Sequence, residues 1–211
     1  RVRSDLRGAL FAATMLAAMP LSAGRTLPAE GKVEVAFAPW DDVERLVMDQ
    51  IDGARQAVYV QAYTLTSRNI VKTLIAAAER GVKVEVVADR DKVLKDERSA
   101  LPRAAGNGVK VWLDGDHAAA HSKVMIIDPD GKDPVVVTGS YNFRVVGKSK
   151  TAENVLVLSA QRALAWRSSK VGGGSLNQPR TKAATLGLPF PDDCAAAGLS
   201  PDAFAPARLG A

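Results

Sequence analysis

Two short stretches concentrate the side chains that could do chemistry. "HSKVMIID" (121–128) places His121 and Lys123 two residues apart, and "TGSYNF" (138–143) does the same with Ser140 and Asn142. Side chains two apart on an extended chain share a face, so each pair points one way. An imidazole can act as nucleophile or proton donor. An ammonium, a hydroxyl and a carboxamide add hydrogen-bond donors and one positive charge. Donors of this kind around an imidazole suit an anion, and phosphate is the natural one. The histidines, the single cysteine and the carboxylates show no metal-ligand spacing, so neither a metal nor any other cofactor is expected.

The surrounding pattern must position these groups. Strands are expected over 32–39, 57–65, 82–89, 109–113, 121–128, 134–140 and 153–159. Helices are expected over 40–54, capped by Asp41 or Asp42, and over 66–81, capped by Thr66 or Ser67 and closed by Gly81. A charged helix or helix-loop follows residue 89 and breaks near Pro102, and another helix begins at 160–167. Strands alternating with helices imply an α/β fold: a mixed, mostly parallel sheet with helices on both faces. "PDGKDP" turns the chain between the two chemical stretches, so a hairpin should bring His121 and Lys123 near Ser140 and Asn142.

The chain has 211 residues, 47% hydrophobic and 24% charged, enough for one sizeable core. Residues 1–24 carry three arginines, then an apolar run from Ala9 to Leu21, then Ser22, Ala23 and Gly24, the layout of a secretory signal peptide. Export to a periplasmic or extracellular space is the corresponding expectation, with no stable membrane insertion once the leader is removed. Its loss would remove two of the five net positive charges, which weakens any argument for an anionic partner from charge alone. The globular domain is expected over 25–167. From 168 onward Gly, Pro and Ala dominate without periodicity, a composition at which chains stay disordered.

The order H-x-K-x4-D then G-S-x-N, here His121, Lys123, Asp128, Gly139, Ser140 and Asn142, resembles the HKD signature of the phospholipase D superfamily. With "QAYTLTSRNIVKTLIAAAERGVKVEVVAD" and "AENVLVLS", the chain is similar over roughly residues 33–166 to the bacterial single-motif endonuclease branch. The resemblance implies that His121 attacks phosphorus to form a phosphohistidine, which water hydrolyses. It implies that Lys123 and Asn142 bind phosphate oxygens, that Ser140 supports them, and that Glu153 holds the histidine tautomer. Asp128, also in the motif, is better suited to bracing the turn. One departure is the ten residues between Asp128 and Gly139, where the family usually has six. With one motif per chain, the resemblance implies a homodimer whose two copies of His121 complete one site.

Other residues admit a bland and a sharp reading. Trp40, Trp112 and Trp166 sit in apolar contexts that favour core packing over base stacking. Tyr141 and Phe143 should divide, one inward and one toward the cleft, and Tyr63 suits either place. His117 reads as a loop residue. Arg90, Lys92, Lys95, Arg98 and Arg103 alternate with carboxylates, as on a solvated face, whereas Arg144, Lys148 and Lys150 lie nearer the expected cleft. The leading expectation is a sequence-nonspecific endonuclease acting on DNA, with RNA left open as a second substrate. A phospholipid hydrolase and a nucleic-acid-binding module that has lost catalysis are the alternatives.

Overall fold

The computed structural model describes residues 26–145, 151–165 and 168. The expected leader, the tail, Lys148, Lys150 and Trp166 lie outside the described residues. Among the described residues eleven elements follow in chain order: β1 (Lys32–Ala38), α1 (Val43–Asp52), β2 (Ala57–Ala62), α2 (Arg68–Glu79), β3 (Lys83–Asp89), α3 (Arg90–Lys95), α4 (Leu101–Ala105), β4 (Lys110–Asp114), β5 (Lys123–Ile127), β6 (Val135–Gly139) and β7 (Glu153–Ser159), with a short helical turn after β7.

The seven strands form one mixed sheet in the order β1-β7-β6-β5-β2-β3-β4. Parallel character resides in strand direction more than in the ladders. Only β2–β3 and β3–β4 pair in parallel, while β1–β7, β2–β5, β5–β6 and β6–β7 are antiparallel. The cause is connection length. Crossovers containing helices return the chain parallel to itself, whereas the short turn between β5 and β6 can only reverse it. The last three strands insert between β1 and β2 and separate two strands that run the same way.

Local signals set the helices that cover one face. Asp42 caps α1, its carboxylate accepting from the Arg45 amide at 2.9 Å. Ser67 caps α2 by accepting from the Ile70 amide at 3.1 Å, and its hydroxyl donates to Glu44 of α1. Gly81 follows the α2 C-cap with φ of 86°, a conformation that costs glycine little. Pro102 opens α4 and is not the break: the chain leaves helix at Asp96, and proline sits in the first turn, where its missing N–H costs nothing.

Val43, Val47 and Ile51 of α1, Ile70, Val71 and Leu74 of α2, and Leu101 of α4 pack on Val58, Val60, Val84, Val86, Met125 and Val157. Each such side chain contributes roughly 1.5–3 kcal/mol by leaving water. The opposite face is covered where Leu164 and Ala165, in the helical turn after β7, meet Tyr59, Val124, Ile126, Val136 and Leu158. At its outer end Val33, Val35 and Phe37 of β1 remain exposed among the described residues.

Candidate active site

The antiparallel arrangement puts the ends of β1, β2 and β6 and the starts of β5 and β7 on one rim. His121 stands two residues before β5 and is exposed there, and the Ser122 carbonyl accepts from the Tyr63 amide at 3.0 Å, extending the β2–β5 pairing by one bond. Lys123 opens β5 opposite Ala62 and is 9% exposed. Its ammonium lies 2.9 Å from His121 Nδ1 and 3.3 Å from Nε2, and donates to the His121 carbonyl at 2.7 Å. An ammonium has three donors and no lone pair, so donating to the ring requires an unprotonated ring nitrogen there, the state a nucleophile needs. Burial lowers the Lys123 pKa from its ordinary value, and the Glu153 charge partly offsets this.

Gly139 ends β6 with φ of 149°, and a Cβ there would fall 2.2 Å from the Asn154 carbonyl oxygen. Only glycine fits that close approach. Beyond it, Ser140 is clamped to β7: its amide donates to Asn154 Oδ1 at 2.9 Å, and its hydroxyl accepts from the Asn154 amide at 2.9 Å. The same hydroxyl donates to Glu153 Oε2 at 2.9 Å. The Thr64 hydroxyl donates to the Asn142 carbonyl at 3.3 Å, and the Phe143 carbonyl accepts from the Thr66 and Ser67 amides. The "GSYNF" loop is thus tied to the start of α2. The Asn142 side-chain NH2 group makes only a 3.4 Å contact to the Ser140 carbonyl, and among the described residues its buried oxygen has no partner. With its donors so weakly engaged, this half-buried side chain can offer its NH2 group to an anion.

Within the chain, Glu153 and Arg144 meet partners other than the expected ones. Within the chain Glu153 bonds to Ser140 and, at 2.7 Å, to Arg144, not to His121. Buried at the start of β7, its carboxylate meets the nearest donors, and the motif loop supplies both. Arg144, expected to meet substrate, is therefore an ion-pair partner, with its carbonyl accepting from the Tyr141 hydroxyl. Asp128 belongs to the other end of the molecule. It follows the last residue of β5, about 17 Å along the strand from Lys123. Its carboxylate accepts from the amides of Arg55, Gln56 and Ala57 at 2.9, 2.7 and 2.9 Å. It braces the turn and the start of β2, the role its place in the motif suggested, and does not reach the cluster.

Aromatic placement also differs. Tyr141 and Phe143 are both buried, at 1% and 2% exposure, and meet edge to face at 5.9 Å. Alternation explains it: if Ser140 and Asn142 face the rim, the residues between and after them face the core. Burial raises the Tyr141 pKa above its ordinary value. Trp40 is 82% exposed, because it lies in the turn after the edge strand β1 and not in an element that packs. Tyr63 is a cleft residue, its ring centroid 4.3 Å from that of His121. His117 is an exposed loop residue whose Nδ1 lies 2.9 Å from Asp114 Oδ2.

Asp89 was absent from the sequence-derived set. It is buried at the end of β3, where it accepts from the Lys92 amide at 2.9 Å and, through its other oxygen, from the Ala120 amide at 2.9 Å. It therefore fixes the residue before His121. An aspartate one residue ahead of a helical run was the available signal, since that is an N-cap position.

This geometry can be set beside known proteins. The family model described as "Cardiolipin synthase, PLD-like domain" matches residues 47–170. The chain belongs to the phospholipase D-like family. Nuc from Salmonella typhimurium, a phospholipase D family member of known structure, superposes with a TM-score of 0.64 at 30% identity, covering 70% of this chain and 95% of Nuc. Phospholipase D of Rickettsia bellii is 37% identical over 127 residues, 60% of this chain and 61% of that protein. Mitochondrial cardiolipin hydrolase of Xenopus laevis is 28% identical over 108 residues, 51% of this chain and 49% of that protein. The chain thus spans less than two thirds of the length of these curated relatives.

Proposed function

We propose that this protein is a phosphodiesterase that cleaves nucleic acid through a phosphohistidine intermediate, at a site completed by a second copy of the chain. The observation that carries the reading is the exposed His121 ring held against the buried Lys123 ammonium, on a rim that also presents the weakly engaged NH2 group of Asn142. An arriving phosphodiester anion takes over the Lys123 donors. A nitrogen of His121 then attacks phosphorus, forming an N–P bond as the P–O bond to the leaving alkoxide breaks. The second copy's imidazole, in its protonated form, gives that oxygen its proton. The same imidazole next accepts a proton from water, whose oxygen displaces His121 and breaks the N–P bond. Lys123 and the Asn142 amide stabilise the charge on the non-bridging oxygens throughout. The likeness to Nuc, a phospholipase D family member, extends over nearly all of Nuc's length, which supports a site built on the same fold.

A phospholipid reading has its own support. Trp40 is exposed on the same rim, where an interfacial aromatic would sit, and the curated relatives include a phospholipase D and a cardiolipin hydrolase. Among the described residues no helix is long and apolar enough to cross a membrane. Plasmid nicking in EDTA, with oligomeric state measured by sedimentation, is the test. Nicking that His121→Ala abolishes supports the nuclease. Turnover of phosphatidylcholine or cardiolipin vesicles without nicking supports the lipid reading instead, and binding without turnover points to a lapsed enzyme.

A further inference from the structure

The ring of Tyr63 lies beside that of His121, and two ammonium groups flank it: Lys123 and Lys92 of α3 each lie 5.0 Å from its centroid. A cavity of about 320 Å³ runs from Tyr63 along α3, past Lys92 and Lys95. Three carboxylates also line it, so its net pull on an anion depends on which charges are already matched. Asp89 keeps its charge, its two oxygens accepting only from the neutral Lys92 and Ala120 amides. Asp91 pairs with Lys95 at 2.7 Å and Arg90 at 3.4 Å, and Asp96 holds Arg98 through both its oxygens. Among the described residues, Lys92 is the one cation of α3 that no carboxylate pairs. The Tyr63 hydroxyl beside it, together with the charges of Asp89 and Asp96, raises the Lys92 pKa above its ordinary value.

We propose that Lys92, seated on Tyr63, binds the phosphate next to the one cleaved at His121, so that the site engages consecutive phosphates of a single nucleic-acid strand. The inference rests on the nuclease reading above. Lys123 and Lys92, on the same aromatic ring, are close enough to meet neighbouring phosphates, whereas a substrate with one phosphodiester occupies only the first. Tyr63 is half-buried between His121 and the two ammonium groups, so its part is to aim Lys92, not to stack a base.

The experiment compares wild type, Lys92→Ala, Lys92→Arg and, as a control of equal charge change, Lys72→Ala on the exposed side of α2. Each is assayed on a single-stranded oligonucleotide and on bis(p-nitrophenyl) phosphate, which has no neighbouring phosphate. Lys92→Ala is expected to raise the oligonucleotide KM at least about fivefold more than any change on the small diester. It should also flatten the slope of log KM against log salt by about 0.7, the loss of one single-strand phosphate contact. Lys92→Arg should restore both, and Lys72→Ala should alter neither. Equal effects on the two substrates, or an unchanged salt slope, would overturn the proposal while leaving the nuclease reading intact. Turnover of the small diester by a wild type that leaves the oligonucleotide uncut would instead sink the nuclease reading itself.

Discussion

The two ends of β5 carry polar groups of opposite character. At its far end Asp128 is saturated: three backbone amides converge on its carboxylate, and its own amide donates to the Ala57 carbonyl at 2.9 Å. At its near end His121 is exposed, Lys123 is partly desolvated, and among the described residues the Asn142 NH2 group makes only a 3.4 Å contact. Saturation marks a group that holds the fold, because all its hydrogen-bonding capacity is already used. Unspent capacity, kept at some cost to stability, marks a group that waits for a ligand. Both belong to the same sequence signature, so the signature mixes a catalytic part with a structural one.

The comparison can be broken most sharply at His121. Replacing it with alanine should lower turnover at least about a thousandfold, since the nucleophile is gone. Thermal denaturation should be unmoved, because the ring is exposed and supports no core contact. The mirror experiment is Asp128→Ala, which strands three amides. Denaturant titration should show a loss of about 3 kcal/mol, with turnover per folded molecule near wild type. A large fall in turnover without unfolding would place Asp128 in the site after all.

Lys123 supplies a smaller effect in the pH profile. Burial lowers its folded pKa, so the alkaline limb of kcat/KM should fall below the ordinary lysine value of 10.5. Glu153→Gln should move the limb lower still, because the Glu153 charge opposes the burial effect. Stability follows from the same shift. Charged Lys123 costs stability below its folded pKa, and that cost is relieved as pH rises from the folded toward the unfolded value. The least effect is expected of Trp40→Ala, which should shift unfolding by no more than about 0.5 kcal/mol, because the ring is so exposed. A selective loss of vesicle binding or lipid turnover in that variant would favour the phospholipid reading.

Much of this was legible before any coordinates. Hydrophobic alternation marked every strand, and the capping rules narrowed the start of α1 to Asp41 or Asp42 and of α2 to Thr66 or Ser67. The H-x-K and S-x-N spacings put the right pairs on common faces. What failed did so for spatial reasons. Apolar neighbours along the chain suggested that Trp40 was buried, but they belong to an edge strand whose turn projects outward. Within the chain Glu153 is met by two donors from the adjoining loop, which its place in the sequence did not show. Asp89 went unnoticed because its partner Ala120 is 31 residues away.

By itself the sequence determined the periodic elements, the set of chemical groups and their order, because these depend on neighbours within a few residues. Only the tertiary structure decided which groups have hydrogen-bonding capacity to spare. That depends on long-range pairing: β7 and β6 hold Ser140 against Glu153, β2 brings Tyr63 to His121, and the start of β2 consumes Asp128. Whether a polar side chain is structural or reactive is a matter of what else reaches it, and only the packed chain settles that.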